Sequence, residues 1–103
     1  MTPLQHLLIK LGEEASEVTK EASKCAIFSP TLIKPGGKNT NIDLLFKELD
    51  GVNAVLELLS EQHGFSYKWI RDEIEGKKID IMHYMDISRS LCQTDESPYK
   101  TSP

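Results

Sequence analysis

Glu14 and Glu17 in "GEEASEVTK", together with Glu48 in "FKELDGVNAVLELL", are the side chains best suited to chemistry in this chain. On a helix, residues three apart stand on neighbouring turns of one face. At about 100° per residue, Glu14, Glu17 and Glu21 fall within an arc of about 60° bordering an apolar stripe, while Glu13 points away into solvent. Three acids on one arc repel one another unless something positive sits among them. Lys20 and Lys24 offer some relief, with Glu17–Lys20 and Glu21–Lys24 among the available pairs. A solvated charged face is the plain alternative. Glu48 argues against it, because it shares a side of its helix with Leu44, Gly51, Val52 and Val55. An acid on so apolar a face wants a cation. Hard oxygen donors from two packed helices are what magnesium takes, with waters and substrate phosphates completing its octahedron.

Gly51 is the other anomaly of that segment. Glycine inside a helix costs about 1 kcal/mol relative to alanine, through backbone entropy and a missing side chain. Its neighbour Asp50 points about 100° away from position 51, toward Lys47, Ala54 and Glu57. Only a local distortion at Gly51 would bring its carboxylate round to Glu48. Asn53 is a further polar residue in the helix, its amide placed for a ligand or for a neighbouring backbone group. Phosphates need cations, and Lys34 and Lys38 lie in a loop able to close over a ligand. Lys77, Lys78 and Arg89 follow later in the chain, the arginine being suited to bidentate phosphate contacts. Tyr84 can pack its ring or hydrogen-bond a ligand, and Trp69 can stack on a base or anchor an interface. For each lysine a solvated surface charge is the plain alternative. His6, His63 and His83 form no metal-ligand or nucleophile spacing.

These groups are carried on helices. Thr2 followed by Pro3 is a helix start, an N-cap and then proline at the first helical position. From there Leu4, Leu8, Leu11, Ala15, Val18, Ala22 and Cys25 form a heptad-like stripe, and the helix ends near Phe28, before Ser29-Pro30. "SPTLIKPGGKNTN" reads as a loop. Thr40 or Asn41 can cap the second helix, Asp43 favours its first turn, and Gly64 stops it after His63. Its apolar residues recur at Ile42, Leu45, Leu49, Val52, Leu56 and Leu59, flanked by Leu44, Val55 and Leu58. "SYKWIRDEIE" predicts a short helix capped by Ser66; Gly76 interrupts it, and "KKIDIMHYMDISRSLC" predicts another with Ile79, Met82, Met85 and Leu91 inward. No internal repeat or strand pair is present in the pattern. The expected fold is all-α, a single domain over residues 1–92 with a polar tail over 93–103. Two long helices cannot bury such seams alone, so the C-terminal helices are expected to cover part of them and self-association the rest.

Bulk composition agrees. A chain of 103 residues with 39% apolar and 27% charged residues suits one small globular domain. A net charge of −4 argues against broad nucleic-acid binding. No apolar run approaches the roughly 20 residues that span a bilayer. "TPLQHLLIK" lacks the basic region and small-residue cleavage site of a signal peptide. Cys25 and Cys92, at apolar helical positions and in no metal spacing, read as buried free thiols. The expected location is cytoplasmic.

The blocks taken in order resemble the MazG-like all-α nucleoside triphosphate pyrophosphohydrolases, and the resemblance covers most of the chain. "LLIKLGEEASEVTKEASK" is similar to the family's first helix, with Glu14 and Glu17 as its ExxE pair. "PGGKNTN" resembles the linker of small phage-type members, "KELDGVNAVLELL" their second acidic helix and "KKIDIMHYMDISRSL" their closing helix. The resemblance implies a helical-bundle homo-oligomer, dimer or tetramer, that binds a nucleotide between helices. It also implies Mg2+ held by Glu14, Glu17 and Glu48, and by Asp50 if the helix rotates there. The metal activates a water that attacks the α-phosphate, releasing pyrophosphate and a nucleoside monophosphate. The resemblance brings Lys34, Lys38, Asn53, Tyr84 and Arg89 forward as nucleotide-binding candidates. One departure stands out: the family's second motif is ExxD, and three residues after Glu48 comes Gly51. A non-hydrolysing phage-type protein that sequesters a nucleotide or nucleotide signal is therefore the alternative. A purely structural oligomerisation domain is a third, and leaves Glu48 without a physical reason.

Overall fold

Thr2 and Thr40 open the two long helices by one device. In the computed structural model, which describes residues 1–91, each threonine hydroxyl accepts from the backbone N–H three residues on. The third residue answers: Gln5 Oε1 accepts from Thr2 N–H at 2.9 Å, and Asp43 Oδ2 from Thr40 N–H at 3.2 Å. Two otherwise orphaned donors are satisfied at each helix start. The helices that follow are α1 (Pro3–Phe28) and α2 (Asn41–His63). α2 ends at Gly64 in the left-handed conformation, whose N–H returns to the Ser60 carbonyl.

The connection is a tight hairpin. Lys34-Pro35-Gly36-Gly37 closes with Gly37 N–H donating to the Lys34 carbonyl at 2.9 Å, and Gly36 has φ 80°. Proline followed by a positive-φ glycine is the type II arrangement, which a side chain at position 36 would strain. Ile33 and Thr40 form an antiparallel bridge. Behind it, buried Asn41 donates its amide to the Ser29 carbonyl at 2.9 Å, joining the start of α2 to the end of α1. The two helices therefore run antiparallel, α1 against α2.

The seam of that hairpin differs from the expected stripe. On α1 the covered positions are Leu4, Leu7, Leu11, Glu14, Val18, Glu21 and Cys25, whereas Leu8, Ala15 and Ala22 are exposed. On α2 the covered face carries Asn41, Leu44, Glu48, Gly51, Val52, Val55 and Leu59, with Leu49 39% exposed. Alternate members of the α1 stripe are thus displaced by one residue, and acids take the places where alanines were expected. Buried apolar side chains are few: Cys25, Val55 and Leu59 among the described residues.

The chain forms two compact units, Met1–Tyr67 and a second beginning at Lys68. The second carries α3 (Arg71–Ser90). Three expectations are corrected here. Residues 66–70 are not helical, and the helix begins after Ile70 instead of at Ser66. It then runs unbroken through Gly76, with Glu75 pairing Arg71 at 3.0 Å and Lys78 at 3.1 Å around that point. No residue of α3 is buried, so Ile79, Met82, Met85 and Leu91, expected to face inward, are exposed. Arg71 also lies over the Trp69 ring, 4.8 Å from its centroid. Among the described residues there is no strand, and no helix is long and apolar enough to cross a membrane. Cys92 and the tail over 93–103 lie outside the described residues.

Candidate functional site

Acids occupy the helical seam because the 3–4 spacing that runs through Leu7, Leu11, Val18 and Cys25 also runs through Glu14 and Glu21. A residue at such a position points at the partner helix whatever its polarity. Glu14 is half-buried, and its two oxygens have different surroundings. Oε1 is 3.7 Å from Lys10 Nζ, one turn back. Oε2 lies over Gly51 on α2: a Cβ built there would overlap Oε2 and come within 3.1 Å of Glu14 Cδ. Lys10 also bonds Glu13 at 3.2 Å. Its ammonium is held above its ordinary pKa first by the hydrogen bond to Glu13, then by the charges of Glu13 and Glu14.

Glu48 is half-buried and stands one turn before Gly51 on the same face of α2. Glu14 and Glu48 therefore approach one strip of the hairpin from facing helices. Glu17 is exposed, on the flank of that strip. Asp50 is exposed too, and α2 is an uninterrupted helix through Gly51, so no distortion turns Asp50 toward Glu48. Among the described residues, no three His, Cys, Asp or Glu side chains converge as a metal cage. Magnesium does not require one, since it commonly keeps several waters and takes one or two protein carboxylates with substrate phosphates. Glu14, against Gly51, and Glu48, one turn before Gly51, are carboxylates of the kind that demand asks for.

Glu21 was weighed in sequence only as part of a charged face, yet it is the most deeply buried acid described, at 8% exposure. Oε1 pairs with Lys24 at 3.4 Å, while Oε2 has no hydrogen-bond partner among the described residues. The signal was available in its spacing, seven residues after Glu14 and four before Cys25. His63 Nε2, at the end of α2, is likewise buried without a partner among the described residues.

The nucleotide-binding candidates do not gather at one place. Lys34 and Lys38 are exposed on the hairpin between α1 and α2. Asn53 lies about 200° around α2 from Gly51, on the opposite side of the helix. There it lines an open cleft of about 280 Å³ with Leu56, Glu57, Ser60, Ser66 and Tyr67. The Ser60 and Ser66 hydroxyls meet across it at 2.8 Å. Tyr84 and Arg89 belong to the second unit, where Tyr84 is exposed and Arg89 lies 3.7 Å from Asp86. Comparison with protein-family models, with curated protein sequences and with solved structures finds no match to the chain.

Proposed function

We propose that the chain is a MazG-like nucleotide-binding protein that hydrolyses a nucleoside triphosphate to its monophosphate and pyrophosphate at the acidic seam. The observation carrying this is Glu14, half-buried on α1 and lying over Gly51 on the Glu48 face of α2. The carboxylate has Lys10 at 3.7 Å from Oε1, and Oε2, on the Gly51 side, is the oxygen offered to a cationic ligand. Glu14 and Glu48, with Glu17 on the flank, are the groups that would hold Mg2+. The ion supplies phosphate charge neutralisation and a lowered pKa for a bound water. Lys34 and Lys38 are exposed on the hairpin that links the two acidic helices; Glu14 stands about 20 Å along α1 from it, so they are not groups of the seam itself. The exposed Leu8, Ile9, Phe46 and Leu49 of the hairpin support assembly of two or four copies, since a two-helix unit with so few buried side chains does not stand alone.

The alternative, capture of a nucleotide without hydrolysis, is supported at the same position. Where a fourth acid is expected there is Gly51, and the space its side chain would take is filled by Glu14. One experiment separates the two. Pure protein is incubated with a panel of nucleotides and magnesium, and bound and cleaved species are resolved by chromatography. Monophosphate with pyrophosphate supports hydrolysis, an intact retained nucleotide supports capture, and a panel neither bound nor cleaved refutes both.

A further inference from the structure

Of the three helical glycines, two have nothing within 4 Å of where a Cβ would stand: Gly12 on α1 and Gly76 on α3. Gly51 differs. Its missing Cβ is replaced by the Glu14 carboxylate, with Oε2 in overlap, Cδ at 3.1 Å and Cγ at 3.8 Å. Glu14 Oε1 meanwhile faces Lys10 at 3.7 Å, so the carboxylate lies between a cation on its own helix and a bare backbone on the other. Any residue but glycine at 51 pushes the carboxylate off α2. The far end of a glutamate is flexible, so the acid moves and the helix backbone does not.

We propose that Gly51 is a positioning residue: its bare backbone is the seat that holds the Glu14 carboxylate on the Glu48 face of α2, where the two acids serve one divalent cation. The ligand role rests on the proposed function, whereas the seat is a matter of packing alone. Gly51 is then a requirement of the site instead of the mark of a lost acid. The intrinsic helix cost of glycine is accepted to bring a charged group of one helix onto another.

A double-mutant cycle tests the seat without reference to activity. Alanine is the better helix former, so in a Glu14→Ala background Gly51→Ala should raise the urea midpoint. With Glu14 present, the same substitution should give a smaller rise, because the new methyl must displace the carboxylate. An equal rise in both backgrounds overturns the proposal. Should Gly51→Ala fail to fold while Glu14→Ala/Gly51→Ala folds, the coupling is shown in its strongest form; failure of both variants to fold overturns it. The ligand role is read with Mn2+ as a paramagnetic substitute, through the relaxation of water protons. Gly51→Ala should weaken Mn2+ binding several-fold, and Gly51→Ala binding as tightly as wild type overturns the positioning role. A wild type that binds no Mn2+ sinks the metal site of the proposed function, and is recognised as such because the cycle still reports the seat.

Discussion

Replacing Glu21 with leucine is expected to stabilise the helical hairpin. The side chain is nearly buried, at 8% residue exposure, in a seam whose next members on α1 are Val18 and Cys25. Its one partner is Lys24, at 3.4 Å and with a side chain 40% exposed. A pair of that kind contributes about 0.2–1 kcal/mol. Against it stands Oε2, buried and without a partner among the described residues. An unmet buried acceptor costs roughly 1–3 kcal/mol. Leucine removes both terms and adds aliphatic burial, so the balance favours the variant by about 1–2 kcal/mol.

For a domain of this size, about 1–2 kcal/mol corresponds to a rise in Tm of roughly 5–15 °C. Urea unfolding followed by far-ultraviolet circular dichroism measures it, at one fixed protein concentration because assembly couples stability to concentration. Glu21→Gln is the companion: it keeps the shape but still presents polar atoms to the seam, and should gain less than leucine. The reasoning is refuted if leucine lowers stability by 1 kcal/mol or more and glutamine does so as well. Such a result means that the folded protein engages both carboxylate oxygens, and Glu21 then joins Glu14 and Glu48 as a cation ligand.

Asn41→Ala removes the amide that bonds the Ser29 carbonyl at 2.9 Å and leaves a carbonyl unmet beside a buried position, so stability should fall by about 1–3 kcal/mol in the same urea assay. Light scattering at micromolar concentration should report a multiple of 11.6 kDa, and a stable monomer would count decisively against self-association. Glu48→Gln should weaken magnesium-dependent nucleotide binding in calorimetry while leaving the circular dichroism spectrum unchanged. Equal binding by the variant, with and without magnesium, would reduce the acids to a charged face.

The limits of both long helices were legible because local chemistry decides them: a capping threonine, a proline at the first helical position, and a left-handed glycine act within one turn. The phase of the α1 stripe was not. Leu4, Leu11, Val18 and Cys25 belong to two heptad patterns at once, one through Leu8, Ala15 and Ala22, the other through Leu7, Glu14 and Glu21. Hydrophobicity alone prefers the first, because it places alanines inside and acids in water. The structure takes the second, which alone sets a long side chain of α1 against the residue of α2 that has none. Glu14 and Gly51 are complementary in volume, yet each taken singly reads as a defect, an acid in a seam and a glycine in a helix. In α3 the reason was different: with no residue buried, its apolar spacing has no inward face to report, and its start follows from the extended backbone of Ile70. The acids on the α1–α2 hairpin were found through their chemistry, but their relation to one another is a property of two helices in contact. Pairing charges with voids across candidate registers, before pairing apolar residues, is what would have set Glu14 opposite Gly51 from the sequence.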